Sequence, residues 1–396
     1  MMDSDLEQRL ERMYAGDTRR PVDTDASWRR FISLRRHAAI QRRAIAAGVA
    51  VAAVTAVAVA AIAAYQGTRA EPSGGRHVNR PADTGRLTIT ARIAVPGAGR
   101  APGDEGMAGV VASQGGQVWA ITYADRLIRI NPATNRVTLR THIAGLTDMT
   151  AAAGTIWLLT TAGADGKLLK LDAVSGRVLA TFPLARRCGQ VSYSGTQLWL
   201  ACASGSRGTD FLRLDPATGR VLASAGPAPG VSYVEAAGDG VWFSGNSGVS
   251  GFVGTGSLLR RVNAANPSGL SDTDSLVYAQ GAIWAFDGGE SVAKIDQRTG
   301  RIVRVYNSAR YDPTGSFGLD FFTVGQGSLW FLNDDQYQAT SVLRVSLASG
   351  LPQGHISKVG SCGEPCWQIY VVGGSVWVPT RTHITRIDQV RRSRRG

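Results

Sequence analysis

A tryptophan that returns at nearly regular intervals constrains the fold of this chain more than any other sequence feature. Seven tryptophans stand in apolar triplets such as VWA, LWL and VWV, at spacings of 38 to 47 residues. They are Trp119, Trp157, Trp199, Trp242, Trp284, Trp330 and Trp377. A period of about 40 residues indicates stacked structural repeats, none of which buries its hydrophobic faces alone.

The unit around Trp199, VSYSGTQLWLACASGSRGTDFLRLDPATGRVLA, divides into four short strands joined by tight turns. Apolar and polar residues alternate in LWLAC and FLRLD, as in strands with one buried face, and DPATG is rich in turn residues. We expect equivalent third strands in the other units: LIRIN, LLKLD, LLRRVN, VAKID, VLRVS and ITRID. Four strands per unit predict an all-β fold, a seven-bladed β-propeller over residues 86–390. Helical repeats are excluded, because this region shows no sustained period of 3.6 residues.

The two ends of the repeat region complement each other. The seventh unit stops after its third strand, at Asp388, whereas residues 86–95 form a strand without a unit of its own. The segment TGRLT at its start also matches TGRVL, which opens the fourth strand of another unit. We therefore expect residues 86–95 to complete the seventh blade and close the ring, which removes unpaired strand edges.

The first 85 residues predict a cytoplasmic segment, a membrane span and a spacer. Residues 1–43 are polar and contain a Ser-x-x-Glu motif, the form of a capping box before a short amphipathic helix. Residues 44–65 form an apolar stretch long enough to cross a bilayer as a transmembrane helix. Residues 66–85 have the Gly- and Pro-rich composition of a flexible linker, and residues 391–396 form a basic tail.

Arginines on the N-terminal side of the apolar stretch predict its orientation. Six of them lie between Trp28 and Arg43 without an intervening acidic residue, which favours a cytoplasmic N-terminus and an extracytoplasmic propeller in a single-pass protein. A cleaved signal peptide is an alternative, although its apolar region and leader are normally shorter. The pair Arg29-Arg30 hints at a twin-arginine signal but lies far ahead of the apolar run. No cysteine follows that run closely enough for a lipoprotein anchor.

All four cysteines lie after the apolar stretch, where an extracytoplasmic location permits disulfides. Cys188 opens the first strand of the third unit and Cys202 closes the second, so an antiparallel hairpin places them opposite each other, and we expect a disulfide. Cys362 and Cys366 are close enough in sequence for a small bridge, but their spacing does not fix the geometry. A zinc site is excluded, since the two pairs would have to converge from distant blades, and we expect no bound metal.

Polar residues where the first strands begin are the candidate ligand site, because propellers bind around the mouth of the central channel. Counting nine or ten residues back from each repeat tryptophan selects Val110, Asp148, Gln190, Tyr233, Asp274, Asp320 and Gln368. His383, near an inner loop of the seventh unit, is a further candidate. Together these groups would bind a cation, or a polyhydroxylated or amine-bearing ligand, without a cofactor. Alternatively, they bond backbone amides at the blade turns.

Three units, GTIWLLT…LLKLDAVSGRVLAT, QLWLACA…FLRLDPATGRVLAS and AIWAFDG…VAKIDQRTGRIVRV, resemble the seven-bladed propellers related to virginiamycin B lyase and the YVTN and quinoprotein-like repeats. The resemblance covers residues 86–390 and implies the fold more specifically than an activity. For the lyases it implies a magnesium ion beside a catalytic histidine at the channel mouth. Only His383 is suitably placed here, and the carboxylate-bearing WFTE pattern is missing. The AxDxxxGKxxW signature of quinone-cofactor dehydrogenases is missing as well, so we expect a non-catalytic module, with a lyase-type metal-dependent enzyme as the alternative.

The layout of a cytoplasmic helix, an arginine-rich stem and one span is similar to that of actinobacterial membrane-bound anti-sigma factors. This layout makes signalling across the membrane a second alternative. The HxxxCxxC zinc motif of those proteins is missing from residues 1–43, so the resemblance is limited to the layout. The formal charge of +13 does not indicate nucleic acid, because much of the excess lies beside the span and in the tail, and basic and aromatic residues are not interleaved. The sequence predicts a sensor or scaffold anchored at the cell envelope, with a small molecule, a cell-wall polymer or a protein as its outer partner.

Overall fold

The computed structural model describes a large part of the propeller region. The described residues are 86–95, 107–112, 116–122, 125–152, 154–161, 166–195, 197–245, 248–255, 258–264, 275–286, 291–307, 319–333, 340–360, 368–380 and 383–390. The chain divides into two compact units, Met1–Arg80 and Pro81–Gly396, and all described residues belong to the second. The predictions for residues 1–85 and 391–396 therefore lie outside the described residues. Within the described ranges, no helix combines the length and apolar character needed to cross a bilayer.

Seven antiparallel sheets of four strands each confirm the predicted number of blades. Blade 1 contains β2 (Met107–Ala112), β3 (Val118–Thr122), β4 (Arg126–Asn131) and β5 (Arg136–His142); blade 2 contains β6 (Leu146–Ala152), β7 (Thr155–Thr160), β8 (Lys167–Asp172) and β9 (Val178–Pro183); blade 3 contains β10 (Cys188–Tyr193), β11 (Leu198–Ala203), β12 (Thr209–Leu214) and β13 (Val221–Ala228). Blade 4 contains β14 (Val231–Ala237), β15 (Gly240–Gly245), β16 (Gly248–Val253) and β17 (Arg260–Asn263); blade 5 contains β18 (Ser275–Ala279), β19 (Ala282–Phe286), β20 (Ser291–Asp296) and β21 (Ile302–Asn307). Blade 6 contains β22 (Leu319–Gly325), β23 (Ser328–Asn333), β24 (Thr340–Ser346) and β25 (Pro352–Gly360); blade 7 contains β26 (Tyr370–Val372), β27 (Ser375–Pro379), β28 (His383–Val390) and β1 (Arg86–Ala94). A short 3₁₀ helix, Gly205–Arg207, connects β11 to β12.

The first strand of the propeller closes the ring, as predicted. In blade 7 the strands follow the order β1, β28, β27, β26, so a strand from the start of the domain forms the outer edge of its last sheet. β1 runs antiparallel to β28, with Ile89 opposite Ile387 and Ile93 opposite Ile384. The innermost strands of consecutive blades also contact one another all the way round, including β2 of blade 1 with β26 of blade 7.

The seven repeat tryptophans form the core between blades. Each is at most 1% exposed, and each packs with aliphatic side chains of its own and a neighbouring blade. Trp377 of blade 7, for example, shares a cluster with Ile128 and Ile130 of blade 1. This burial confirms the structural interpretation of the repeat, because large aromatic rings contribute most of the apolar area that holds two sheets together.

A cation lies over the tryptophan ring in six of the seven blades. The charged group is on the third strand, directly opposite the tryptophan, at 5.2 to 5.9 Å from the ring centroid. Several of these cations reach the neighbouring blade, as Lys170 does with the carbonyl of Pro216 at 3.0 Å. Such pairs contribute about 0.5–2 kcal/mol each. The basic residue at the centre of motifs such as LIRIN and LLKLD therefore has a packing role.

Arg344 shows how the closure of the ring alters this pattern. Its guanidinium lies over Trp330 and is almost buried, yet its Nη1 has no hydrogen-bond partner within the described residues. In blade 2, the equivalent Lys170 donates to a carbonyl in the third-to-fourth-strand turn of the next blade. Blade 7 has no such turn after Asp388, because β28 continues as a strand through Gln389, which pairs with β1. The Nη1 of Arg344 thus lacks an acceptor among the described residues at this seam, whereas its Nε donates to Ser328 Oγ at 2.9 Å.

Blade 4 departs from the predicted strand assignment. LLRRVN was expected to be a third strand, but Arg260–Asn263 forms β17, the outermost strand, and Gly248–Val253 forms the third strand β16. The prediction was wrong because β16 lacks the basic residue of the repeat and reads as a glycine-rich loop. Gly251 occupies that position, and a Cβ there would lie 2.7 Å from the Trp242 ring. The ring therefore packs directly on the backbone of β16.

A disulfide joins Cys188 and Cys202, as the hairpin argument predicted. The two residues are paired across β10 and β11 at the end of the hairpin where the strands separate, and both are buried. Cys362 and Cys366 lie outside the described residues, so their bridge stays a prediction.

Candidate functional site

The inner strands carry a β-bulge close to their first residues, which determines where the predicted site residues lie. In five blades the pairing between first and second strand skips one residue, the bulged position: Ala108, Thr147, Gly189, Ser232 and Asp320. Asp148, Gln190 and Tyr233 come directly after a bulge, whereas Asp320 is itself the bulged residue. Counting nine and counting ten residues back therefore select two different positions. A bulge changes the direction of nearby side chains, so these positions are not equivalent.

Asp148 is oriented by backbone groups of two blades. Its Oδ1 accepts a hydrogen bond of 2.9 Å from the amide of Met149, and its Oδ2 accepts one of 2.8 Å from the amide of Val191 on the inner strand of blade 3. The side chain nevertheless keeps part of its surface accessible to solvent. Asp148 thus links the inner strands of blades 2 and 3.

Glu235 is a second carboxylate of the inner strands, which the sequence analysis missed. Its Oε1 accepts a hydrogen bond of 3.2 Å from the amide of Tyr278 in blade 5, and its Oε2 lies 3.4 Å from the hydroxyl of Ser192 in blade 3. It is paired directly with Trp242 across the first hairpin of blade 4. The equivalent residues in the other blades are Val111, Thr150, Ser192, Val277, Thr323 and Tyr370. Aligning the units on the residue opposite each repeat tryptophan would have revealed this glutamate, because the other blades have an apolar, hydroxyl-bearing or aromatic residue there.

The two carboxyl groups form an electrostatically coupled pair. Burial raises the pKa of Asp148 to about 7, although the amides of Val191 and Met149 lower it. Burial also raises the pKa of Glu235 to about 7, and the negative charge of Asp148 contributes to the increase. Ser192 follows Val191, whose amide donates to Asp148, and its own Oγ donates to Glu235 and accepts from the amide of Ala236 at 2.9 Å. We call Asp148 and Glu235 the channel acid pair.

Other polar side chains of blade 3 connect it to blade 4. Gln190 Nε2 donates to the carbonyl of Ser232 at 2.9 Å, and Ser194 Oγ donates to the carbonyl of Gly238 at 2.9 Å. For Asp148 and Gln190, the structure therefore shows backbone hydrogen bonds across blades, the alternative considered for this set. Such bonds hold the side chains in place and leave a ligand-binding role open, since a binding site needs groups with fixed positions.

Three of the remaining predicted residues lie in or beside described strands. Tyr233 is a partly buried residue of β14, and Gln368 comes just before β26 in blade 7. His383 begins β28, a third strand, so two strands of its blade lie further in. Asp274 and the side chain of Asp320 lie outside the description, and β2 is described by its backbone alone, so nothing is concluded for the side chain of Val110.

The chemistry of the channel acid pair suits a cationic group better than a tightly held metal ion. No cluster of three or more histidine, cysteine, aspartate or glutamate side chains able to hold a metal occurs among the described residues. Divalent cations favour several oxygen ligands. Here the oxygens of both carboxyl groups already accept hydrogen bonds from backbone amides, which leaves fewer lone pairs for a metal. An ammonium group needs only a few acceptors and one compensating charge, which this arrangement offers.

Comparisons with known proteins identify the fold and no family. No protein-family model matches the sequence, and no curated protein matches it either. Among solved structures 1385 chains match, so the architecture is widely shared. One of them is the computationally designed protein Ika8, which has a TM-score of 0.50 and 13% identity over 72% of this chain and 96% of its own. At that identity the likeness concerns the fold alone, and function has to be argued from the site.

Proposed function

We propose that this chain is a membrane-anchored binding module of the cell envelope, whose extracytoplasmic propeller binds a cationic ligand in its channel without catalysis. The observation that carries the proposal is the coupled pair of partly exposed carboxyl groups, Asp148 and Glu235, on the inner strands of blades 2 and 4. Perturbed titratable groups in a concave site are typical of binding and catalytic positions.

The charge of the pair defines the class of ligand. Two interacting carboxyl groups that titrate near neutral pH together carry about one negative charge there. One protonated amine would balance that charge and would favour the ionised state, since an opposite charge lowers a carboxyl pKa. Ser192 and Gln190 add a hydroxyl and an amide nearby. An amine-bearing, hydroxyl-rich small molecule fits this combination best.

Two observations support the location at the envelope. The apolar stretch 44–65, preceded by a cluster of arginines, has the length and charge asymmetry of a single span with its N-terminus inside. The Cys188–Cys202 disulfide is of the kind that persists in oxidising compartments. Both features point to a propeller outside the cytoplasm, where a wall component or an extracellular protein would be an additional partner.

A titration with a matched pair of sugars tests the ligand class. Residues 81–396, which form one compact unit, would be titrated with glucosamine and with N-acetylglucosamine, which has the same ring but no ammonium group. We expect saturable heat or chemical-shift changes with glucosamine only, and their loss in the D148N/E235Q variant. Equal binding by this variant, or no preference for glucosamine, would contradict the proposed site.

A magnesium titration of the same two proteins separates the proposal from the lyase-type alternative. We expect weak magnesium binding that the D148N/E235Q variant does not change, because the pair lacks a third carboxylate among the described residues. Tight binding that disappears in the variant would favour a metal-dependent enzyme. The anchor is tested independently by two experiments: carbonate extraction of cell membranes, and protease added to intact cells. Release of the protein by carbonate would refute the anchor. A propeller that external protease digests only after the cells are broken would refute the proposed topology.

A further inference from the structure

The arginines at one end of the blades form a ring. In blades 1 to 6 the third strand passes to the fourth at the same end of the sheet as the first hairpin turn, which we call the turn face. Six of the seven blades carry an exposed arginine where the outer strand begins: Arg136, Arg177, Arg220, Arg260, Arg301 and, through β1, Arg86. Arg260 contacts the carbonyl of Arg298, another arginine of this face, at 2.5 Å.

Most carboxylates of the turn face are engaged by their own turns. Asp172, Asp215 and Asp296 accept hydrogen bonds from backbone amides and hydroxyl groups of the turns that they begin. These bonds lower the pKa of all three. Asp388 is bound by Ser375 and by Arg386. Arg177, Arg220 and Arg298 also lower the pKa values of the three turn aspartates, so the arginines lie beside ionised carboxylates. They are nevertheless exposed at the rim of the turns, where a partner with negative charge can reach them.

The most exposed large hydrophobic residues lie on this same face. Leu258 is 83% exposed, and Val174 and Leu351 are each 62% exposed. Val174 lies in the turn of blade 2, Leu258 in the connection before β17, and Leu351 directly before β25. Leu351 takes the position that an arginine has in blades 1 to 5. The three residues lie on three different blades, and burying each of them in an apolar medium would be favourable.

The combination of arginines with projecting leucine and valine side chains fits an anionic bilayer surface better than an anionic polymer. Phosphate groups attract the arginines, and the boundary between headgroups and acyl chains accepts the apolar tips. A polymer in water would bind the arginines alone. The chain also enters the propeller on this face, because β1 begins at Arg86 beside the end of β28.

We propose that the turn face docks on the anionic lipid surface of the membrane, with its arginines at the phosphates and Val174, Leu258 and Leu351 among the headgroups. The inference rests on the proposed function for the membrane anchor. The 20 residues between the proposed span and Arg86 reach at most about 70 Å when fully extended, so the anchor would keep the propeller within reach of the bilayer. The loop face, at the opposite end of the blades, then points away from the membrane and gives ligands access to the channel.

Vesicle binding by the propeller without its anchor tests the docking directly. Residues 81–396 form one compact unit that contains all 28 strands and the closed ring. We expect this fragment to sediment with vesicles of phosphatidylglycerol and phosphatidylcholine and not with pure phosphatidylcholine. The R177Q/R220Q/R301Q variant should lose roughly 100-fold in partitioning at low salt, from about fivefold per arginine. The V174S/L258S/L351S variant should lose at least about tenfold at every salt concentration.

A variant of the opposite face is the matched control. R126Q/K167Q/R207Q removes the same charge from exposed residues at or near the second-to-third-strand loops of blades 1, 2 and 3, and should bind vesicles like the parent. Equal losses in both charge variants would show that only net charge matters and would refute a specific face. Binding to an anionic polymer such as polyphosphate but not to vesicles, unaffected by the serine substitutions, would refute lipid docking in favour of a polymer. The glucosamine titration is unaffected by either result, so the channel site is judged separately.

Discussion

Replacing Asp148 by asparagine should flatten the pH dependence of propeller stability between about pH 5 and pH 8. Burial raises the pKa of this carboxyl group to about 7 in the folded protein, whereas the unfolded chain has the ordinary value near ~3.9. Between these two values the folded state binds more protons than the unfolded state. The free energy of unfolding therefore decreases as the pH rises, and the stabilising contribution is lost once the pH exceeds the folded pKa.

The magnitude follows from the difference between the two pKa values. Each proton held only by the folded state lowers the unfolding free energy by about 1.4 kcal/mol per pH unit, which for Asp148 amounts to at most about 4 kcal/mol over the whole range. Glu235 adds a similar slope, since its pKa is also raised to about 7. Asparagine provides one carbonyl oxygen for two amide donors, so the variant loses a hydrogen bond worth about 1 kcal/mol at every pH.

Urea unfolding followed by tryptophan fluorescence measures this slope, because the seven repeat tryptophans are buried in the folded state. We expect D148N and E235Q each to reduce the change of unfolding free energy with pH by the equivalent of about one bound proton, which is about 1.4 kcal/mol per pH unit. The double variant should lose nearly all of this pH dependence. D215N is the matched control. Turn amides lower the pKa of Asp215, so this carboxylate stabilises the protein above its unfolded pKa, and the contribution is lost on acidification. A parent protein whose stability is constant or rises from about pH 5 to pH 8 would refute the electrostatic assignment.

Three further substitutions test the packing of the ring. C202S should lower the unfolding free energy by about 3 kcal/mol in oxidising buffer and by nothing in reducing buffer, whereas an equal loss in both buffers would contradict a stabilising disulfide. G251A should cost about 1–3 kcal/mol in urea unfolding, since its Cβ would lie 2.7 Å from Trp242, while G189A, with open space around it, should cost less; equal costs would contradict the packing. Deletion of residues 86–95 should produce aggregates or exchanged dimers in size-exclusion chromatography with light scattering, and a stable monomer would contradict closure by β1.

The fold was largely predictable because its determinants are local and repeated. The spacing of the tryptophans indicated seven blades, and the surplus strand at one end matched the missing strand at the other, as the pairing of Ile89 with Ile387 confirms. The disulfide was predictable for the same reason, since a hairpin places its two cysteines opposite each other. Blade 4 was the exception, because β16 is rich in glycine and lacks the basic residue by which the third strand was recognised in other blades.

The candidate site was predictable only in part. Asp148 was selected by counting back from a tryptophan, but the same counting overlooked Glu235, which lies directly opposite Trp242. A bulge near the start of the inner strands also means that a fixed offset does not select equivalent residues. Arg86, Arg220 and Arg301 of the turn face were visible in TGR motifs, yet the motif does not reveal that Leu258, Val174 and Leu351 are exposed on the same face.

The sequence by itself determined the number, order and closure of the blades, because each blade is specified by short-range alternation of residues and by its turns. Only the tertiary structure decided which polar groups meet in the channel and which charges share a face. Asp148, Ser192 and Glu235 are each separated by more than 40 positions in the chain, and their proximity depends on how the blades pack round the axis. The shift of their pKa values has the same origin, since it arises from the protein that surrounds them and not from their neighbours in sequence.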